Sequence, residues 1–542
     1  MIGFRKDTIL LSWNTKNPAR IAQFITKHFE FFLAGILVLI SLYYFNYYFQ
    51  NHLGLAYNDA RSHLDIGRRV VEGLKPGLAQ LGSVWLPLPH ILMVPTIWND
   101  FMWHSGLSGA LQSMLSFVIT GVIIYRLLKH MGASMLARLI GVYVFASNMN
   151  ILYLQSTAMT ELLLIATMTI GVYEMVKWYE SDTELFYLVK AAFWIMLSTL
   201  VRYDGWFLFF CAFMLVILKG LRKKSYWRAE GYAVFFGTLA GLGVVLWLLW
   251  NLLIFKDPLY FAFGPYSAHQ QQAQLEGAGV LPTKHDVVYS SRVYWHAMVY
   301  NSGMATVAFG LLGAILLWLD KKQKLDRKIS LSLLLAPLFF NILALYLGHS
   351  VLFIQGISGT TWFNVRYGIM MMPSFAILIG YLVDRWKSLS KILVGVLVFI
   401  SVFQIVNADT VTLDDGRVGS SQKNVSEVSG WLNKYAKDTE GFVLISAASH
   451  DAIIFSSGLP MKKFIHEGTG KYWESATTSP DRWAKWIVMR TNDVNDSTFR
   501  LVSKTEWKDK YTLISSYPFA DIYELNPEFS QNLNTQPVFV QR

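Results

Sequence analysis

The sequence predicts a polytopic α-helical membrane protein that ends in a small α/β domain. Of its 542 residues, 54% are hydrophobic and only 15% are charged. The mean hydropathy of +0.36 is far above that of ordinary soluble proteins. Long apolar runs between short charged loops give the same indication, because about 20 apolar residues in a helix cross roughly 30 Å of hydrocarbon.

Eleven apolar runs are long enough, or nearly so, to cross a membrane. The fifth, sixth, eighth and tenth are short, so the expected number of transmembrane helices is about eleven. The runs lie at residues 31–49, 107–127, 136–154, 160–178, 185–201, 205–219, 231–254, 303–319, 329–347, 368–384 and 389–407.

Basic residues between these runs predict the orientation, since Lys and Arg collect in cytoplasmic loops. Four basic clusters lie in residues 1–30, 219–228, 320–328 and 384–391. With eleven spans, all four clusters fall on one side of the membrane. We therefore expect a protein of the cytoplasmic (plasma) membrane whose N-terminal segment (1–30) lies in the cytoplasm. Loops 50–106 and 255–302 then lie on the outer side of the membrane. We interpret the net charge of +11 as an orientation signal and as a basic surface that contacts the lipid bilayer. This interpretation argues against a nucleic-acid partner.

Residues 408–542 predict an extracytoplasmic α/β accessory domain behind the transmembrane module of residues 31–407. Residues 424–437 have the period of an amphipathic helix, and short apolar segments typical of strands follow. The expected strands lie at 442–446, 462–466, 486–490, 511–515 and 522–525, with a helix at 451–457. Strands that alternate with helices indicate an α/β fold.

The first outer loop carries an acid shortly after the first span. Asp59 and His63 are four residues apart, so a helix would place them on one face. They fit a base with its partner, two metal ligands, or an ordinary solvated pair. Trp85 and His90 lie in a Gly- and Pro-rich stretch of the same loop. We predict that both bind substrate, although Trp85 also fits an interfacial anchor.

Further ionisable residues occur at the outer edges of later spans. Glu161 enters span four, Arg202 and Asp204 lie between spans five and six, and Arg366 and Tyr367 open span ten. Charged groups at the edge of hydrocarbon are costly and usually functional or paired. Because these sites share one face, they predict an aqueous cavity there.

The loop beyond span seven adds polar residues at Tyr266, His269 and Gln270. They offer donors and acceptors that suit sugar hydroxyls, and an exposed polar loop explains them about as well. A divalent cation bound by Asp59, His63 and His269 is an open alternative, so we assign no metal ligand.

Together these residues resemble the GT-C class of integral-membrane glycosyltransferases, which includes the protein O-mannosyltransferases and the aminoarabinose transferase of lipid A. The resemblance covers about residues 30–410. It depends on Asp59 in the first outer loop, on Met159-Thr160-Glu161, on Arg202-Tyr203-Asp204-Gly205-Trp206, on Asp257-Pro258-Leu259-Tyr260-Phe261 and on Arg366-Tyr367 followed by Pro373.

The resemblance implies a GT-C fold and a sugar donor carried on polyprenyl phosphate, with a lipid, glycan or protein acceptor. It implies that Asp59 is the general base of an inverting transfer and that Glu161 is the second catalytic carboxylate. Arg366 is then the first candidate for the phosphate contact and Arg202 the second.

Two departures from the family narrow the expected reaction. Ala60 follows Asp59, so the second acid usually found beside the first is missing, and the Trp-Trp-Asp-Tyr-Gly pattern of oligosaccharyltransferases is absent. The missing acid leaves the second carboxylate to be supplied by Glu161 or by no residue. The missing pattern favours transfer of a single sugar. A transporter or lipid flippase is the competing class, and a glycan polymerase or ligase that uses a lipid-linked donor is the third.

Overall fold

The computed structural model describes residues 28–181, 184–222, 225–264, 267–277, 279–407, 410–419, 425–493 and 496–538. The predicted N-terminal segment 1–30 therefore lies almost wholly outside the described residues, and so does Tyr266. The described chain is mainly helical, with one small sheet near its C-terminal end.

Twenty helices belong to the part of the described chain that precedes residue 420. The first ten are α1 (Phe29–Gln50), α2 (Asn58–Val71), α3 (Leu88–Ile97), α4 (Asp100–His104), α5 (Leu107–His130), α6 (Met135–Ala146), α7 (Met149–Leu154), α8 (Glu161–Glu180), α9 (Leu185–Thr199) and α10 (Asp204–Arg222). The next ten are α11 (Tyr226–Phe255), α12 (Tyr260–Phe263), α13 (Ala268–Gly277), α14 (Val287–Ser302), α15 (Met304–Leu319), α16 (Leu325–Leu331), α17 (Ala336–Tyr346), α18 (Met372–Arg385), α19 (Ser390–Val406) and α20 (Val411–Val418).

Eight helical segments among the described residues are long and apolar enough to cross a membrane, and a ninth is added if the bent pair α14 and α15 is one span. The eight are α1, α5, α8, α10, α11, Leu325–Tyr346, Val365–Arg385 and the segment that includes α19. Each overlaps one of the predicted runs, which confirms a polytopic membrane protein.

The other three predicted runs form shorter helices. Run 136–154 is divided into α6 and α7, because Asn148 accepts a hydrogen bond from the Ile151 amide and starts a new helix. Run 185–201 forms α9, which has 15 residues. Run 303–319 forms α15, whose axis is bent by 108° from α14 at Gly303, where φ is +84°. Glycine adopts that left-handed backbone without steric cost.

The spans differ in how deeply they lie in the bundle. About nine tenths of the apolar window of α8 and of Val365–Arg385 is buried by other parts of the protein. For α1 and α11 the buried share is below three tenths. The central pair therefore forms the interior of the module, and the peripheral helices present apolar side chains that suit lipid.

The C-terminal region is an α/β unit with a five-stranded sheet. Its elements are α21 (Ser426–Tyr435), β1 (Phe442–Ile445), α22 (Ala447–Ser457), β2 (Phe464–Ile465), α23 (Lys471–Thr478), β3 (Ala484–Met489), α24 (Ser497–Val502), β4 (Tyr511–Ser516) and β5 (Asp521–Leu525). The strand order is β2-β1-β3-β5-β4, with β1 parallel to β2 and β3 and with β5 antiparallel to β3 and β4. Each predicted strand is present.

The hydrophobic core of the module continues into this C-terminal unit. Ile453 and Phe455 of α22 belong to the same buried cluster as Leu64 of α2 and Trp103 of α4. The rings of Trp103 and Phe455 meet edge to face, 6.0 Å apart. The contact fixes α22 against α4, and the shared cluster places α22 beside α2, the helix that carries Asp59.

Candidate active site

Three carboxylates of the predicted site lie at the N-terminal ends of helices. Asp59 is in the first turn of α2, Glu161 is the first residue of α8 and Asp204 is the first residue of α10. The unpaired amide groups at a helix start favour negative charge there. Three helices that start at one level thus hold three acids at one face of the module.

Arg366 joins acids from separate parts of the chain. It lies on a 3-10 helix, Val365–Met371, that leads into α18. Its guanidinium donates from Nη2 to Asp59 Oδ2 at 2.6 Å and from Nε to Glu161 Oε1 at 3.1 Å. The side chain is only 4% exposed. Close backbone packing fixes it, since a Cβ on Gly368 would lie 2.2 Å from the Ala297 carbonyl oxygen.

Arg202 reaches the same carboxylate from the turn between α9 and α10. Its Nη1 donates to Glu161 Oε1 at 3.2 Å and its Nε donates to Asp204 Oδ2 at 3.4 Å. Burial acts to lower the pKa of Arg202, but Asp204 and Glu161 outweigh burial and raise it. The turn needs Gly205, because a Cβ there would lie 2.3 Å from the Ser198 carbonyl oxygen. Arg202 is therefore a fixed cation.

Two buried polar atoms in this cluster have no hydrogen-bond partner among the described residues: Glu161 Oε2 and Arg366 Nη1. Asp415 Oδ2 lies 4.0 Å from Arg366 Nη1, within ion-pair range but too far for a hydrogen bond. Buried polar groups are nearly always paired, so an unpaired acceptor and an unpaired donor in one cluster indicate a ligand that offers both kinds of group.

The sequence reasoning missed Tyr57 and Asp415. Asp415, on α20, is fully buried and accepts hydrogen bonds from the Tyr57 hydroxyl at 3.1 Å and from the Val365 amide at 3.2 Å. The Tyr57 ring lies 4.8 Å from the Arg366 guanidinium carbon. A Cβ on Gly416, which follows Asp415, would lie 3.2 Å from the Tyr57 ring, so α20 packs closely against Tyr57.

His63, Trp85 and His90 form a neighbouring group on α2 and the loop before α3. His63 Nδ1 and His90 Nε2 share a hydrogen bond of 2.9 Å, and the Trp85 ring lies 4.3 Å from the His63 ring. Burial, followed by the charges of Arg366 and Arg202, lowers the pKa of His63 to about 3. Burial also holds the pKa of His90 well below its usual value. Both imidazoles are therefore neutral hydrogen-bonding groups.

The remaining predicted residues divide into two groups. Tyr367 lies in the cluster, with its ring 4.8 Å from Arg202 and 5.4 Å from Arg366. His269 and Gln270 are exposed on α13, where His269 contacts Phe263.

The three residues of the metal alternative are not brought together. In the described ranges no group of three or more His, Cys, Asp or Glu side chains could hold a metal ion, so Asp59, His63 and His269 do not form such a group. Arg366 lies against Asp59 and Glu161.

The structure is similar to two solved structures of ArnT from Cupriavidus metallidurans. With ArnT bound to undecaprenyl phosphate the TM-score is 0.56 at 10% identity, over 91% of this chain and 98% of that one. With its apo state the TM-score is 0.52 at 10% identity, over 88% and 94%. An oligosaccharyltransferase from Archaeoglobus fulgidus, in a complex with Zn and sulfate, gives 0.49 at 11% identity, over 88% of this chain and 71% of that one.

No protein-family model and no curated protein matches the sequence. At 10% identity the similarity to ArnT is a similarity of fold. It extends over nearly the whole of both chains, including the C-terminal α/β unit. The fold predicted from the sequence is confirmed: the chain has the GT-C fold of membrane glycosyltransferases.

Proposed function

We propose that this protein is a membrane glycosyltransferase that moves one sugar from a polyprenyl-phosphate carrier to an acceptor hydroxyl on the outer side of the cytoplasmic membrane. The proposal is supported by the acid–arginine cluster, which consists of Asp59, Glu161, Arg202, Asp204 and Arg366. Two buried atoms of this cluster, Glu161 Oε2 and Arg366 Nη1, have no hydrogen-bond partner among the described residues. A sugar phosphate has hydroxyl groups to donate to the first atom and phosphate oxygens to accept from the second. The ArnT structure with undecaprenyl phosphate supports a carrier of this class.

The proposed reaction is a single displacement at the anomeric carbon. The acceptor hydroxyl gives its proton to Asp59 while its oxygen forms a bond to that carbon. The bond from the carbon to the phosphate oxygen breaks, and its electrons leave with the polyprenyl phosphate. Attack opposite the leaving group inverts the anomeric configuration. No further reactant is required.

Exposure supports the choice of Asp59 as the base over Glu161. The Asp59 side chain is 35% exposed and the Glu161 side chain is completely buried. A base must meet the incoming acceptor, whereas a buried carboxylate that bridges two arginines is suited to orient them and to hold a sugar hydroxyl. Asp59 and Glu161 thus have different roles in the proposed reaction.

The arginines supply the positive charge for the departing phosphate. Arg366 holds Asp59 and Glu161 with Nη2 and Nε, which leaves Nη1 for a phosphate oxygen. A fixed donor in a buried site stabilises charge that develops in the transition state. Arg202 is the second cation. Trp85, next to His63, would contact the sugar, because aromatic rings offer an apolar face to sugar C–H groups.

The experiment is a donor-turnover assay with purified protein in vesicles. A panel of polyprenyl-phosphate sugars is supplied with lipid, glycan and protein acceptors, and release of polyprenyl phosphate is measured. We expect one donor to be turned over and Asp59→Asn to reduce turnover at least about 100-fold. Asp438→Asn, at an exposed position of the C-terminal unit, is the matched control and should retain turnover.

Three results would contradict the proposal. Equal turnover by Asp59→Asn would remove Asp59 as the base. Movement of a lipid or solute across the vesicle membrane without cleavage of any donor would assign the protein to the transporters. Transfer of a whole glycan from a lipid carrier would instead favour the polymerase or ligase class.

A further inference from the structure

Helix α2 presents polar side chains on two opposite faces. Asp59 and His63 point into the acid–arginine cluster, whereas Arg61, Asp65 and Arg69 are spaced four residues apart on the other side and point towards α22. A step of two residues, as from Asp59 to Arg61, turns a helix by about 200°. The C-terminal unit therefore contacts the face of α2 that lies opposite the proposed base.

The contacts with α22 are specific and buried. Arg69 pairs with Asp451 through its two terminal guanidinium nitrogens. Nη1 donates to Oδ1 at 3.1 Å and Nη2 donates to Oδ2 at 3.3 Å. Arg61 Nη1 donates to Ser456 Oγ at 3.3 Å. The Arg69 and Asp451 side chains are 11% and 9% exposed, so this pair is largely removed from water.

Between these contacts lies a second acid, Asp65, which is completely buried. Its Oδ1 accepts from Trp103 Nε1 at 3.0 Å, but its Oδ2 has no N–H or O–H donor in the described part of the chain. The Asp451 carboxyl group is its neighbour on α22. Two ionised carboxylates that lie close together in a buried site repel each other, which favours protonation of one of them.

Burial is the largest influence on both acids and favours a proton on the pair, and the negative charge of Glu467 near Asp451 acts in the same direction. The charge of Arg69 opposes the proton at both acids. Glu467 is already held by the Ser446 hydroxyl and the Ala447 amide.

Two histidines also face Arg69 from neighbouring elements, His90 on α3 and His466 after β2. Burial holds the pKa of each well below its usual value, so both are neutral.

We propose that Asp65 and Asp451 share one proton and that, together with the Arg69–Asp451 ion pair, they are positioning residues that fix α2 so that Asp59 and His63 stay in the reactive geometry. This inference rests on the proposed function, since it assigns the pair a role in that reaction. The C-terminal unit is then part of the enzyme's machinery, because it supplies half of the support for the base.

The shared proton gives the support a pH dependence with a definite sign. Burial raises the pKa of Asp65 well above its usual value, followed in importance by the charge of Asp451, and burial likewise raises the pKa of Asp451 to about 6. The folded state therefore binds the proton more tightly than the unfolded state. The stabilisation is complete below the unfolded carboxyl pKa and is lost as pH rises through about 6 and above.

Asp65→Asn separates positioning from ordinary structural support. An asparagine can still accept from Trp103 with its carbonyl oxygen, and its amide group donates to Asp451 without a proton that titrates. In full-length protein we expect Asp65→Asn to retain turnover at pH 6 and to move the alkaline limb of the kcat profile upward by at least about one pH unit. Asp65→Leu, which cannot donate, should lose turnover at every pH.

A second measurement does not depend on turnover. Hydrogen exchange of the α2 amides, corrected for intrinsic rates, should quicken between pH 6 and pH 9 in the wild type and stay constant in Asp65→Asn. An identical pH dependence of exchange in both proteins would overturn the inference. Absence of donor turnover together with the expected exchange difference would reject the proposed function and leave the coupling of α22 to α2 intact.

Discussion

The two ends of α8 carry similar ion clusters that differ in how completely they are paired. Glu161 at its first residue and Glu180 at its last are separated by about 29 Å along the helix axis. Each accepts hydrogen bonds from an arginine of a distant helix. At the far end, Arg327 donates to both carboxylate oxygens of Glu180, at 2.5 and 2.9 Å, and His130 lies 3.3 Å away.

The Glu161 end is more deeply buried and yet less completely paired. Glu161 is fully buried while Glu180 is 10% exposed, but only Glu161 has an oxygen without a partner. At the Glu180 end, His130 Nε2 has no hydrogen-bond partner among the described residues, but both carboxylate oxygens are bonded. A buried carboxylate oxygen without a partner costs free energy in the absence of a ligand. The pairing of the carboxylate oxygens therefore distinguishes the proposed active site from the Glu180 cluster.

Replacement of the arginine at each end should produce the largest contrast. Arg366→Lys keeps the positive charge, but one ammonium group cannot bond to Asp59 and Glu161 and still offer an N–H group to the phosphate. We therefore expect turnover of the sugar donor to fall at least about 100-fold. Arg327→Lys, the matched change at the other end, should lower the midpoint of thermal unfolding and leave kcat within about threefold of wild type. Equal losses of turnover would remove the distinction between the two clusters.

Asp415 should show a smaller effect, because it acts through Arg366 and Tyr57. Asp415→Asn keeps an oxygen for the Tyr57 hydroxyl but removes the negative charge that faces Arg366 Nη1 at 4.0 Å. We expect kcat to fall about tenfold, which corresponds to the loss of one charge-assisted hydrogen bond. Asp414→Asn, at the exposed neighbouring acid, is the control and should retain turnover. A larger loss of turnover in Asp414→Asn would show that the negative charge of α20, and not the contacts of Asp415, affects turnover.

Much of the fold was predictable, because hydrophobic length and charge bias are properties of single segments. All eleven apolar runs form helices, and the strands of the C-terminal unit lie where their apolar character predicts them. The break between α6 and α7 was harder to anticipate, since one capping side chain, Asn148, decides it.

Assembly of the site was predictable only in part. Asp59, Glu161, Arg202 and Arg366 were identified because each is a charge at the edge of an apolar run, and the structure brings them together. Asp415 was missed because it lies after the last run, in a segment that the sequence gives no reason to join to the module. Its contact with Tyr57 spans 358 residues, a distance at which local patterns carry no information.

The most direct test of the central claim compares the two glutamates of α8 in the donor-turnover assay. Glu161→Gln and Glu180→Gln make the same chemical change on one helix, each beside an arginine. We expect Glu161→Gln to reduce turnover about 100-fold, while Glu180→Gln stays within about threefold of wild type and unfolds at a lower temperature. Equal turnover in the two variants would contradict the claim that the incompletely paired cluster is the active site.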